Sequence, residues 1–164
     1  MNNSILLADD DAAVRQFVGS ALQAEGYDVI LAQTAREASH AFLHRWPNLV
    51  LLDLSLPDKE MNVPDKDGWD AFQLMKQLRP WMPIIIITGM PGQLAHASRL
   101  GAAGLMEKPL DLPLLFRAVE RLLDESNRER VEHEMEALYD AVPHSPSPCI
   151  LLETESCRLP KVEP

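Results

Sequence analysis

Four short apolar runs, each closed by a polar residue, constrain this chain more than any other feature. Ile5-Leu-Leu-Ala8 runs into Asp9-Asp-Asp11, Leu49-Val-Leu-Leu52 into Asp53, Ile84-Ile-Ile-Ile87 into Thr88, and Gly104-Leu-Met-Glu107 into Lys108-Pro109. Unbroken aliphatic runs of this length suit strands covered on both faces, the usual condition of a parallel sheet. Helical patterns separate them. Val14, Phe17, Val18, Ala21 and Leu22 recur at helical spacing and Gly26 ends that helix, after which Tyr27-Asp-Val-Ile-Leu-Ala32 reads as a further strand. Thr34 with Glu37 is a capping box, opening a helix that Pro47 stops after Trp46. Gly68 to Leu78 forms a third helix with Ala71, Phe72, Met75 and Leu78 inward, a shorter one follows Pro91-Gly92, and a fifth starts behind Asp111. The expected fold class is α/β: a doubly wound five-stranded parallel sheet with helices on both faces, followed by a C-terminal helical extension and a tail.

In such a sheet every run ends on the same carboxyl edge, where ligands bind. Asp9, Asp10 and Asp53, the Thr88 hydroxyl and the Lys108 ammonium therefore meet there. Carboxylates about 4 Å apart repel by roughly 4 kcal/mol per pair at an effective dielectric of about 20, so the cluster calls for a cation. An all-oxygen site that keeps some waters favours Mg2+. Asp53 is the candidate nucleophile, since a carboxylate can take up a phosphoryl group as an acyl phosphate. Catalysis of that transfer is mostly positioning and neutralisation, with metal, Lys108 and Thr88 each addressing one phosphoryl oxygen.

The stretches Ile5-Leu-Leu-Ala-Asp-Asp-Asp11, Leu51-Leu-Asp-Leu-Ser-Leu-Pro57, Ile86-Ile-Thr-Gly89 and Glu107-Lys-Pro109, in this order, resemble the receiver domain of two-component response regulators, the CheY-like fold, over about residues 1–124. The resemblance implies that Asp9 and Asp10 hold the metal, Asp53 is phosphorylated, Thr88 is the switch hydroxyl and Lys108 the phosphate partner. It also implies the main-chain carbonyl of Ser55 as a metal ligand and a cis Lys108-Pro109 bond. The implied function is acceptance of a phosphoryl group from a sensor histidine kinase or phosphotransfer protein, switching a partner or output interaction; the chain itself is not expected to be an enzyme.

Two departures from the family pattern stand out. Leu105 occupies a position usually taken by Tyr or Phe, so aromatic rotation there cannot be the readout, and the signal is expected to pass through Thr88-Gly-Met-Pro-Gly92 and the helix after it. The link from Pro57 to Gly68 is stretched and acidic, and either covers Asp53 or is a tolerated surface insertion.

Two rival chemistries fit these residues less well. A Mg2+-dependent aspartyl-phosphate hydrolase of the haloacid dehalogenase type needs a second Asp two residues past the nucleophile, where this chain has Ser55. A flavodoxin-like FMN module wants a Ser/Thr/Gly-rich phosphate loop after the first strand, and Asp9-Asp-Asp11 repels phosphate.

A formal net charge of −10 argues against direct nucleic-acid binding. With no long apolar segment and no signal-peptide pattern at the amino terminus, a cytoplasmic protein without membrane association is expected. The domain reading is a receiver at 1–124, a helical extension at 125–142 and a Pro/Ser-rich tail or linker at 143–164. Leu115, Val119 and Leu122 lie in one phase and Val131, Met135, Leu138 and Val142 in another, so a break is expected near the capping-box pattern Ser126-Asn-Arg-Glu129. The later helix pairs with its copy in a homodimer, leads into an output domain or packs back. Cys149 and Cys157 read as free thiols, and His40 and His44 as ordinary histidines without a Cys or carboxylate partner.

Overall fold

The computed structural model describes residues 3–57 and 68–141, with side chains to residue 128. The expectations for the link between Pro57 and Gly68, for residues 143–164 with Cys149 and Cys157, and for the stripe at Val131, Met135, Leu138 and Val142 lie outside what is described. Five strands, β1 (Ser4–Ala8), β2 (Asp28–Ala32), β3 (Leu49–Asp53), β4 (Ile84–Thr88) and β5 (Gly104–Glu107), alternate with α1 (Ala12–Ala24), α2 (Ala35–Arg45), α3 (Gly68–Leu78), α4 (Leu94–Arg99) and α5 (Leu112–Ala141). All strand pairs are parallel, in the order β2-β1-β3-β4-β5.

The two-residue period of a strand divides the core into two layers. Leu6, Ala8, Val50, Leu52, Ile84 and Ile86 face Phe42 of α2, Phe72 and Met75 of α3 and Ala97 of α4. Ile5, Leu7, Leu49, Leu51, Ile85 and Ile87 face Val18 and Leu22 of α1 and Leu115, Val119 and Leu123 of α5. Each fully buried aliphatic side chain contributes about 2 kcal/mol relative to exposure, which is why these runs tolerate no alternation with polar residues. From β1 the chain passes outward to β2, then returns to build β3, β4 and β5 on the other side. That reversal leaves a crevice at the carboxyl ends of β1 and β3.

Local signals set the helix starts. Asp11 caps α1, its Oδ1 accepting the Ala13 and Val14 amides at 2.7 and 3.4 Å. Thr34 caps α2, its Oγ1 accepting the Glu37 amide at 3.1 Å. The return bond of the box goes to a neighbour: Gln33 N–H, and not that of Thr34, donates to Glu37 Oε2 at 2.9 Å. Trp46 ends α2 in the left-handed region at φ 51°.

Three expectations are corrected. Phe17 and Leu78 are exposed, at 63% and 46%. The buried stripe of α1 follows Val18 and Leu22, which turns the preceding Phe17 outward; Leu78 is the last residue of α3, where the chain leaves for β4. On α5 the third buried position is Leu123, four residues after Val119, with Leu122 only half-buried. No break occurs near Ser126, because α5 is continuous over its 30 residues. Leu122, Leu123 and Glu125 are sound helix formers in a stretch without Gly or Pro, and Ser126 can cap only where the chain is not already helical. Arg121 and Glu125, paired at 2.9 Å one turn apart, support the helix across this stretch. Residues Met1–Arg130 form one compact unit and Val131–Pro164 a second. Among the described residues no helix is long and apolar enough to cross a membrane.

Candidate functional site

Register brings the polar strand ends together. Ala8 pairs with Leu52, so the next residues, Asp9 and Asp53, leave adjacent strands at the same level. Asp53 in turn pairs with Ile87 and Thr88 with Glu107, which places Thr88 and Lys108 one step further along the same edge. Asp9, Asp53 and Thr88 are fully buried or nearly so, and Asp10 is exposed.

Asp9, Asp10 and Asp53 each present a carboxylate oxygen within 4.8 Å of the others, the only trio of metal-ligating side chains among the described residues. Lys108 Nζ bridges two of them, at 2.8 Å from Asp9 Oδ2 and 2.7 Å from Asp53 Oδ2. The second oxygens are held by the main chain. Asp11 N–H donates to Asp9 Oδ1 at 2.9 Å, and Ser55 N–H donates to Asp53 Oδ1 at 2.9 Å. Burial pushes the Asp9 carboxyl above its ordinary value, against the lowering pull of Lys108 and the Asp11 amide, and the Asp53 charge adds to the rise. Burial works against the Lys108 charge too, but its hydrogen bonds to Asp53 and Asp9 prevail and raise its pKa.

Three carboxylates against one ammonium leave the site short of positive charge. Asp9 Oδ2, though beside the ammonium, is a buried oxygen that accepts no aligned hydrogen bond. A buried anionic oxygen that shares one ammonium with a second carboxylate, within an all-oxygen donor set, fits a hard divalent cation.

Thr88 stands at the end of β4 with its hydroxyl turned into its own loop, accepting the Met90 amide at 3.0 Å. Lys108 N–H donates to Thr88 O at 2.8 Å, tying β5 to β4 where both side chains are needed. The Lys108-Pro109 bond is cis, as expected. Ser55 is exposed, and its N–H is engaged at the site. Away from the edge, the exposed His40 and His44 rings contact each other at 4.4 Å on α2.

Two supporting residues escape a reading of strand ends. Arg15 Nη1 donates to Asp9 O at 2.7 Å from the first turn of α1, fixing the backbone of the acidic loop. Gly68 begins α3 against β3: its N–H donates to Leu54 O at 3.0 Å, and a Cβ there would overlap the Asp53 carbonyl oxygen. The Asp67-Gly68 pair hinted at a turn, but only the packed structure reveals this close approach.

The response regulator receiver domain family model matches residues 5–120. Sporulation initiation phosphotransferase F of Bacillus subtilis is 30% identical over 125 residues, covering 75% of this chain and 95% of that protein. Transcriptional regulatory protein GlrR of Escherichia coli is 30% identical over 158 residues, covering 94% of this chain; the chain spans only 33% of that regulator's length. Among solved structures, a CheY-like receiver domain protein from Methanospirillum hungatei superimposes with a TM-score of 0.71 at 30% identity, over 79% of this chain and 99% of that one. With its strand order, its acidic edge and these relatives in agreement, the chain belongs to the response regulator receiver domain family.

Proposed function

We propose that Asp53 is the phosphoacceptor of this receiver, that Asp9, Asp10, Asp53 and the Ser55 carbonyl hold Mg2+, and that Lys108 and Thr88 receive the phosphoryl oxygens. The observation that carries this reading is the placement of Lys108 Nζ at 2.8 and 2.7 Å from Asp9 and Asp53. A cation so placed neutralises the carboxylates at rest and can follow the negative charge onto an incoming phosphoryl group. Mg2+, when bound, neutralises phosphoryl charge and orients the group for in-line attack.

The chain's own groups do the rest. The Ser55 amide orients the Asp53 carboxylate by holding Oδ1. An Asp53 oxygen forms the new bond to phosphorus as the donor's N–P bond breaks, the bonding pair leaving with the histidine nitrogen. Thr88 exchanges its Met90 amide for a phosphoryl oxygen, to which its hydroxyl donates. The donor is a sensor histidine kinase or phosphotransfer protein, a reading supported by the family and by a relative named as a phosphotransferase. The chain acts as a carrier and switch for a partner or output, and not as an enzyme turning over a separate substrate. Its net charge of −10 supports a protein partner over direct nucleic-acid contact. The absence of an apolar spanning helix among the described residues agrees with action in the cytoplasm.

Intact mass after exposure to a small-molecule phosphodonor and Mg2+ tests the reading. One phosphoryl adduct is expected on the wild type, none with chelator, and none on Asp53→Asn, which keeps the volume but loses the nucleophile. An undiminished adduct on that variant would move the acceptor elsewhere.

A further inference from the structure

Leu105 lacks the ring that could report on Thr88, yet an aromatic contact bridges the same layer from another direction. Trp69, the second residue of α3, meets His96 of α4 edge to face at 4.6 Å between ring centroids and 87° between planes. On its other side Trp69 meets Phe72 at 5.7 Å and 82°, and Phe72 is fully buried. Trp69, Leu100, Ala102 and Leu105 all pack against the same core layer, which contains Ala97 of α4.

The two sides of the Trp69–His96 contact are held very differently. Trp69 follows Gly68, which is pressed onto the end of β3 at the Asp53 carbonyl and lies, as a Cβ position, 2.6 Å from Leu54 Cα. That side is therefore joined to the end of the acceptor strand by close backbone packing and by the Gly68 N–H bond to Leu54 O. The other side is loose. Helix α4 has six residues, no side-chain cap at Gln93 and a single fully buried residue, Ala97, while Leu94 is 64% exposed. It hangs from a loop whose Met90 amide is held by Thr88 Oγ1 and whose Gly92 sits at φ +78°. When the Thr88 side chain swings toward a phosphoryl group its oxygen leaves the Met90 amide, and the weakly anchored element downstream is the one free to shift.

We infer that Trp69 and His96 form the contact through which α4 reports the state of Asp53, in place of the ring that Leu105 does not supply. The inference rests on Asp53 being the phosphoacceptor. Thr88 displaces the 88–93 loop, α4 moves, and the His96 ring leaves or re-angles against an indole fixed to β3. The contact then works as a detent: intact, it holds α4 in its resting place; broken, it lets α4 move.

Trp69 is its own probe in a Trp46→Phe/Trp81→Phe background, since those two indoles lie at the C-cap of α2 and in the turn after α3 and are 70% and 67% exposed. Beryllofluoride with Mg2+ serves as the acyl-phosphate mimic, its binding read independently by fluorine NMR. Trp69 emission is expected to change on binding. His96→Ala should remove that change while beryllofluoride still binds, and His96→Phe, which keeps a ring edge, should restore it. If beryllofluoride binds and Trp69 emission does not move, or if His96→Ala responds fully, the inference fails and the acceptor reading stands. If beryllofluoride does not bind at all, the acceptor reading fails and takes the inference with it.

Discussion

At the carboxyl edge of the sheet Lys108 is held between two buried carboxylates, whereas at the amino edge Arg79, withdrawn even further from water, lies between two aromatic faces. Its guanidinium sits 4.4 Å from the Phe42 ring centroid and 3.8 Å from that of Trp46. Burial lowers its pKa, but a guanidinium starts so high that it remains a cation. One of its nitrogens, Nη1, is buried without an acceptor. Nearby, Lys76 donates to Pro80 O and Met82 O at 2.8 and 3.0 Å, closing the turn that follows α3. Both edges thus bury cations, with opposite consequences. Carboxylates that hold an ammonium can give it up to an incoming anion and take a metal ion in its place. Ring faces and carbonyls in a closed turn offer no such exchange, so the amino edge is structural while the carboxyl edge is responsive.

The sharpest test of this contrast is Lys108→Met. It leaves Asp9 and Asp53 without their cation and should cost about 3 kcal/mol in metal-free denaturant titration, the scale for breaking a buried pair by removing one partner. Mg2+ should restore most of the loss. Because the Lys108 pKa is raised in the folded state, its contribution is complete below 10.5 and is lost only as pH rises through the higher folded value. The gap between wild type and variant should therefore be flat through neutral pH and close in alkali. A gap that closes near neutrality would show that the lysine is not paired as described.

Next in size is the metal effect. At a hundredfold its dissociation constant Mg2+ should stabilise the wild type by about 2.7 kcal/mol, and Asp9→Asn should abolish that gain in a thermal melt. Without metal the variant should be no less stable than the wild type. Asp9 has a raised folded pKa, so its favourable contribution is present below 3.8 and is lost as pH climbs through the folded value, leaving a buried charge at neutrality. Equal metal-induced shifts in both proteins would remove Asp9 from the ligand set.

At the other edge, Arg79→Ala should cost about 2 kcal/mol through lost cation–π contact with two rings. The metal-induced shift should be unchanged. If Mg2+ repaired this variant as it repairs Lys108→Met, the two edges would be coupled and the contrast would be wrong. Smallest is Thr34→Ala, which removes a cap on α2 and should lower stability by about 1 kcal/mol without altering metal response or phosphoryl uptake.

Much of the site was legible because strand ends are local. An aliphatic run must stop where burial stops, and the residue after it must face the edge, so Asp9, Asp53, Thr88 and Lys108 could be named from their positions alone. Their convergence needed only parallel pairing, which the intervening helices enforce. Phe17 and Leu78 were misplaced because helical spacing marks a stripe without marking its width or where the covering sheet ends. Leu122 was preferred to Leu123 for the same reason. The break expected at Ser126 mistook a capping-box pattern for a cap; such a pattern acts only where the preceding backbone is already out of the helix.

What the sequence determined by itself was the order of the elements, their two core layers and the chemistry at the sheet's carboxyl edge, all consequences of short-range period and chain direction. Tertiary structure alone decided that Lys108 bridges Asp9 and Asp53, that Gly68 presses on the Asp53 carbonyl, that Arg79 slips between Phe42 and Trp46, and that Trp69 meets His96. Each of these joins elements that no repeat or spacing relates. Their distances follow from strand register and from how helices settle on a sheet, quantities that every residue of the core sets together.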